Sequence, residues 1–277
     1  MDQLNLPAWT NRVTEEATCV TEQMALQIHA TLGVGDAPRH GDPLPQLWHW
    51  CAFPNAAPND LLGEDGHPRG SDLLPPIPLP RRMWAGGALE FRAPLRVGDP
   101  IRRQSSIRSI VEKETGAGPM FLVTVDHMIF GAMGLAIVEK QDIVYLNIPD
   151  RFSPPKARPM PEAVTEQITP TETLLFRYSA LTFNAHRIHY DRTYTTEVEK
   201  YPDLIVHGPL QATYLMRAAN RHKGRMPSYF DFRGVHPMFL GQSCDIAMQE
   251  DEGSLTLWTG QGGHQCMQAT ATWMETQ

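Results

Sequence analysis

The chain has 277 residues, a formal net charge of −7 and 42% hydrophobic residues, enough to bury one large core or two ordinary ones without staples. The negative balance excludes broad nucleic-acid binding, which needs a positive face to neutralise phosphates. Cys19, Cys51, Cys244 and Cys266 form no CxxC pair, which excludes a zinc ribbon or a thioredoxin-like motif and fits a reducing compartment.

The opening residues MDQLNLPAWTNRVTEE lack a basic region followed by an apolar core, and no membrane-length apolar run occurs, so the expectation is a soluble cytoplasmic protein. Residues 13–32 (VTEEATCVTEQMALQIHATL) combine helix formers with apolar positions at helical spacing and end at Gly33; they predict one helix stopped by glycine. Residues 36–82 are rich in proline, including LLPPIPLPRR, and predict a meandering surface excursion with at most a short helix near LPQLWHWCAF.

From Trp84 the texture is that of strands: GALEFRAPL, DPIRRQSSIRSIVEKE, GPMFLVTVDHMIFG and GLAIVEKQDIVYL, broken at Gly98-Asp99, Gly116 to Pro119 and Gly131 to Gly134, the punctuation of an antiparallel meander. Arg92, Arg96, Arg102, Arg103 and Arg108 fall here. They form either a patch for an anionic ligand such as a nucleotide-bearing thiol carrier, or a solvated strand face. The proline-rich stretch 148–161 (IPDRFSPPKARPMP) reads as a linker. It divides the chain into 1–147 and 162–277.

After the linker the pattern returns in outline: a helical TETLLFRYSALTF, a loop with histidines, a helix in GPLQATYLMRAANRHK, then strands at SYFDFRGVH, SCDIAMQ, SLTLWTGQ and HQCMQATATW. Leu210, Ala212, Leu215, Met216 and Ala219 make the helix apolar enough to bury deeply against a sheet. The expected class is α+β.

His186 and His189 in NAHRIHYD and His207 in LIVHGPL are the candidate acid–base groups, because imidazole titrates near neutrality. Each could equally satisfy an ordinary hydrogen bond. Gly208 and Pro209 open the following helix, whose first N–H groups lack intrahelical partners and favour negative charge; a plain Gly-Pro helix start would carry the same letters. A metal site built from the three histidines lacks an obvious acidic ligand set.

The segment FRYSALTFNAHRIHYDRTY followed by LIVHGPLQATYLM resembles the hotdog-fold hydratases of the MaoC type, especially their itaconyl-CoA and mesaconyl-C4-CoA hydratases and mitochondrial-type 3-hydroxyacyl-thioester dehydratases. MWAGGALEFRAPLRVGD resembles that branch's first domain. The resemblance implies a double hotdog, two curved antiparallel sheets each wrapping a central helix. Its first domain would be degenerate with a proline-rich insertion, helix 13–32 matching the second domain's helix from Gly208, and the catalytic domain would be 162–277.

In the MaoC motif D-x-N-P-x-H, His189 stands at the histidine, Asn184 at the aspartate, and His186 and Arg187 replace Asn-Pro. The resemblance implies His189 as base, Asn184 orienting water through its amide, and Gly208 N–H as oxyanion donor. Arg187 would clamp a distal carboxylate or pair with Asp191, and His186 and His207 would assist binding. It implies reversible hydration of an enoyl-CoA, itaconyl-CoA or mesaconyl-C4-CoA giving citramalyl-CoA, by a homodimer needing neither cofactor nor metal. The alternatives are a fatty-acid-type dehydratase acting on CoA or acyl-carrier-protein thioesters, and a non-catalytic thioester-binding module.

Overall fold

The computed structural model describes residues 5–10, 12–33, 35–116 and 118–274; the reading of the extreme N-terminus falls partly on residues 1–4, outside these. In chain order the elements are α1 (Pro7–Thr10), β1 (Val13–Cys19), α2 (Glu22–Leu32), β2 (Arg81–Phe91), β3 (Pro100–Thr115), β4 (Gly118–Gly131), β5 (Gly134–Leu146), β6 (Val164–Ile168), α3 (Glu172–Leu181), α4 (Gly208–Lys223), β7 (Tyr229–Gly234), β8 (Cys244–Asp251), β9 (Ser254–Gln261) and β10 (His264–Thr272). No described helix is long and apolar enough to cross a membrane.

The strands form one antiparallel sheet in the order β1-β3-β4-β5-β2-β7-β10-β9-β8-β6. The second five repeat the succession of the first five in mirror order, β6 standing for β1 and β7 for β2. The two sheets expected from the sequence are thus joined into one across β2 and β7, from Gly86↔Arg233 to Glu90↔Tyr229. Gly86 of MWAGGALEF lets the strands approach at this seam, since a Cβ there would come within 2.6 Å of the Phe232 carbonyl, while Gly87 does the same on the other side of β2, where a Cβ would lie 2.6 Å from the Lys140 carbonyl of β5.

The helix expected over 13–32 is corrected. Its first third is β1, paired antiparallel to β3 from Val13↔Ser106 to Cys19↔Pro100. Val13, Thr14 and Thr18 are β-branched and stiff, suited to a pleated edge. The helix starts only after Thr21, whose hydroxyl caps the Met24 N–H at 3.1 Å. Thr171 caps the Leu174 N–H at the start of α3 in the same way. By element order α2 is therefore the counterpart of α3 and not of α4. Between α2 and β2 stand two short 3-10 turns, Trp48–Cys51 and Asn59–Leu61, the first where a short helix was expected.

The α4 helix supplies much of the main core. Leu210, Leu215, Met216 and Ala219 are buried together with Leu89, Phe230, Ile246, Leu255 and Ala269 of the sheet. Burying one such side chain contributes roughly 1.5–3 kcal/mol, which anchors the start of α4 against the strands.

The basic patch resolves to the solvated-face reading. Arg92 pairs with Glu90, Arg102 with Glu15, Arg103 with Glu16 and Arg108 with Asp126, while Arg96 donates to the Gly41 carbonyl. The pairs of Arg102, Arg103 and Arg108 cross from β3 to the facing strands β1 and β4, and Arg92 meets Glu90 two residues away on the same side of the chain.

Candidate active site

A cavity of about 1250 Å³ runs between the two halves of the sheet. His189, Asn184, His186 and Gly208 line it from the C-terminal half, and His67, Arg81, Arg82 and Trp84 from the N-terminal half. Phe152, Ser153, Pro154 and Pro155 of the expected linker also line it. The 148–161 stretch is therefore wall as well as connection, because prolines can cover a cavity without leaving N–H donors to satisfy.

The loop that carries Asn184 and His189 begins where α3 ends. Phe183 takes the left-handed conformation (φ 50°), and the Asn184 N–H reaches back to the Ser179 carbonyl at 2.8 Å. This Schellman-like closure turns the chain sharply, and a non-glycine residue in that conformation stores strain of the kind found at functional sites. Asn184 Oδ1 then accepts the His186 N–H at 3.0 Å, leaving its amide nitrogen as the available hydrogen-bonding end.

His189 closes a 3-10 turn over Arg187–His189. Its Nδ1 lies 2.8 Å from the Ile205 carbonyl oxygen. A carbonyl only accepts, so Nδ1 carries the hydrogen and Nε2 the lone pair. Burial is the main force bringing the imidazole pKa down to about 4. Near neutral pH it is therefore an uncharged acceptor of protons.

His207, expected at the substrate, is placed differently: it is not among the residues lining the cavity. Its ring stacks on that of His189, centroids 3.6 Å apart, and meets Tyr178 edge-on. Its Nε2 is 2.9 Å from the Ser179 hydroxyl, while its Nδ1 is buried without a partner. Burial, aided by His189, holds its pKa well below the usual value. It backs His189 as a packed ring.

Gly208 follows as the first residue of α4. No side chain caps this helix start, and a proline occupies its first turn. The N–H groups at this end have no intrahelical acceptors and carry the positive end of the helix dipole. An oxygen developing negative charge in the cavity would be stabilised there.

Arg187 does not reach the cavity, which corrects its expected place as a clamp. Its guanidinium donates to Asp191 at 2.7 and 3.0 Å and to the Glu64 carbonyl at 3.0 Å, and lies over the Tyr194 ring. The i,i+4 spacing of Arg187 and Asp191 brings them together locally.

Sequence reasoning missed the contribution of the proline-rich excursion. The Asp65 carbonyl accepts the Arg187 N–H at 2.9 Å, and Gly66, at φ 88°, passes so close that a Cβ there would lie 1.8 Å from the Ala185 carbonyl. This contact delivers His67 against His186, ring centroids 4.1 Å apart. The Asp65 oxygens hold His67 from both ends, Oδ1 at its N–H (2.9 Å) and Oδ2 at Nδ1 (2.7 Å). The only available signal was an Asp-Gly-His turn, common in loops of every kind. His186 itself is buried, its Nε2 without a partner. The three histidines of the rival metal reading do not converge: Nδ1 of His189 and Nε2 of His207 point to different hydrogen-bond partners. Among the described residues, the group close enough to share an ion is Asp65, His67 and His186, in which Asp65 is already occupied by His67.

The family model for hydroxyacyl-thioester dehydratase type 2 matches residues 47–240. The chain is 43% identical over 273 residues to a mesaconyl-C(4)-CoA hydratase of Chloroflexus aurantiacus, spanning 93% of this chain and 97% of that protein. Among solved structures, a MaoC-like dehydratase from Phytophthora capsici superposes with a TM-score of 0.71 at 14% identity, covering 99% of this chain and 100% of that one. A Mycobacterium tuberculosis protein described as having a double hotdog fold superposes with a TM-score of 0.57 at 11% identity, covering 94% and 95%.

Proposed function

Since the chain belongs to the hydroxyacyl-thioester dehydratase type 2 family, we propose that it is a hydro-lyase adding water reversibly to the double bond of an enoyl-CoA, with mesaconyl-C4-CoA as the preferred substrate and citramalyl-CoA as the product. The substrate assignment is supported by the 43% identity to the Chloroflexus aurantiacus hydratase over nearly the whole of both chains. Itaconyl-CoA leads to the same product class and is kept in the test.

The observation that carries the chemistry is the 2.8 Å contact of His189 Nδ1 with the Ile205 carbonyl. It leaves Nε2 as the base beside the start of α4. A water is held between Nε2 and the amide nitrogen of Asn184. His189 takes one proton as the water oxygen bonds to the β-carbon. The π electrons move toward the thioester oxygen, which faces the Gly208 N–H, and the α-carbon then receives the proton held on His189 Nε2, which completes the hydroxyacyl thioester and restores the neutral imidazole. Dehydration runs the same steps backwards. His186 completes the substrate-facing wall, and His207 supports His189 from behind.

On this reading the chain divides at 148–161 into a non-catalytic half and a catalytic half of a double hotdog, α4 being the central helix of the second. The first half contributes wall and substrate contacts. A cytoplasmic homodimer belongs to the same proposal. β1 and β6, each paired on one side within the chain, offer open edges that association would cover. Light scattering on the purified protein measures that state.

The function is tested with mesaconyl-C4-CoA, itaconyl-CoA, crotonyl-CoA and a long enoyl-CoA. The expected result is the highest kcat/KM for the branched dicarboxylic thioesters. Preference for the long chain would favour the dehydratase alternative, and saturable binding without turnover of any thioester would overturn catalysis.

A further inference from the structure

We infer that Arg82 is the cation that holds the free carboxylate of the substrate, with the His186 ring as its hydrogen-bonding companion. This rests on the proposed hydration of a dicarboxylic enoyl thioester. In that substrate the carboxylate sits on the β-carbon, the atom that water attacks. Its binding groups must therefore lie next to the base.

His186 is in that position. Its ring is edge-on to His189, with centroids 5.4 Å apart, and it lines the same cavity. Its Nε2 is buried with no partner, which is unfavourable for a polar group unless a ligand meets it. Carrying its hydrogen on Nε2, it would donate to a carboxylate oxygen.

A neutral imidazole does not balance a buried anion, so a fixed cation is needed as well. Two arginines line the cavity. Arg81 is closed onto Glu199, Nε to Oε2 at 2.6 Å, and lies over the Tyr201 ring. Arg82 has no carboxylate within ion-pair distance among the described residues. It stands across β2 and β5 from Tyr145, near enough to act through space on Asp65, His67 and His186. Asp65 is the competing anion at this end, but both of its oxygens are engaged by His67. The side-chain neighbour of Arg82 is the Tyr145 phenol, a neutral group that leaves the charge of the guanidinium uncompensated and its remaining N–H donors for a carboxylate, which the fork matches in geometry as well as charge. Asp65 and His67 are then positioning residues: they brace His186 and keep the local acid off Arg82.

The test compares wild type, Arg82→Gln and Arg82→Lys on mesaconyl-C4-CoA and crotonyl-CoA, which lacks the carboxylate. Arg82→Gln is expected to raise KM for mesaconyl-C4-CoA about 10-fold or more beyond its effect on crotonyl-CoA. Arg82→Lys, which keeps the charge but loses the fork, should fall between. Equal effects on the two substrates, or no effect, overturn the inference while leaving the hydratase reading intact. If wild type itself shows no turnover of mesaconyl-C4-CoA or itaconyl-CoA, the functional reading fails first, and the inference with it. Should Arg82→Gln not fold, Arg82→Lys decides: a wild-type ratio of the two KM values overturns the assignment.

Discussion

The rings of His189 and His207 lie almost parallel, 17° between planes and 3.6 Å between centroids. The backing ring is tied through Nε2 to Ser179, so α3, the start of α4 and the loop of residues 184–189 are joined behind His189, the proposed base. His207→Gln would keep a reach toward Ser179 but remove the stacked ring. A base freed to tilt by a fraction of an ångström loses rate more than binding. The expected result is kcat lower by about 10-fold with KM little changed. A variant whose KM rises while kcat holds would place His207 at the substrate instead.

Asn184→Asp tests both the asparagine and the titrating base. Burial brings the His189 pKa down to about 4, so wild-type activity should fall only as the pH drops through that region. A carboxylate nearby favours the imidazolium and raises the pKa. The acid limb of kcat/KM against pH should therefore move upward, and the variant should already be impaired near pH 5. Asn184→Ala should lower kcat with thioester binding retained. A fully active alanine variant would remove Asn184 from the mechanism.

Gly66→Ala tests the contact between the halves. The left-handed backbone costs an alanine about 1–3 kcal/mol, and the Ala185 carbonyl stands in the space of its Cβ. The catalytic loop must shift, so hydration should fall by at least about 10-fold with the sheet retained, as measured by circular dichroism. Near-normal turnover would show that residues 63–67 do not set the loop.

Acid stability follows from buried neutral imidazoles. Burial lowers the pKa of His127 and His189 to about 4, and those of His186 and His207 well below the usual 6.5. The unfolded chain binds protons at these sites from about pH 6.5 downward, whereas the folded chain does not. Their stability is thus full above pH 6.5 and is lost as the pH falls toward 4. Denaturant midpoints measured from pH 7.5 to 4.5 should decline with uptake of more than one proton on unfolding. A flat midpoint would show that these rings titrate normally.

The strand meander over residues 100–146 and the start of α4 at Gly208 were legible because alternation, glycine punctuation and a Gly-Pro helix start are local properties of the chain. The misreading of 13–19 was also local. VTEEATC offers helix formers and β-branched residues in nearly equal measure, and pairing with β3 decided for the strand. The role of Arg187 was left between two partners, and its four-residue spacing to Asp191 decided it once the loop had formed.

Asn184, His189 and Gly208 could be proposed from sequence because a short motif and a Gly-Pro helix start lie in one half of the chain and their residue types carry acid–base and hydrogen-bonding chemistry, and all three line one cavity. Only the tertiary structure decided what surrounds them. His67 and Arg82 reach the cavity from more than 100 positions upstream of Asn184, with Asp65 behind His67, through the seam of β2 and β7 and the passage of Gly66 beneath Ala185. Such proximity arises from strand pairing and from close packing at a glycine, and neither leaves a periodic trace in the sequence.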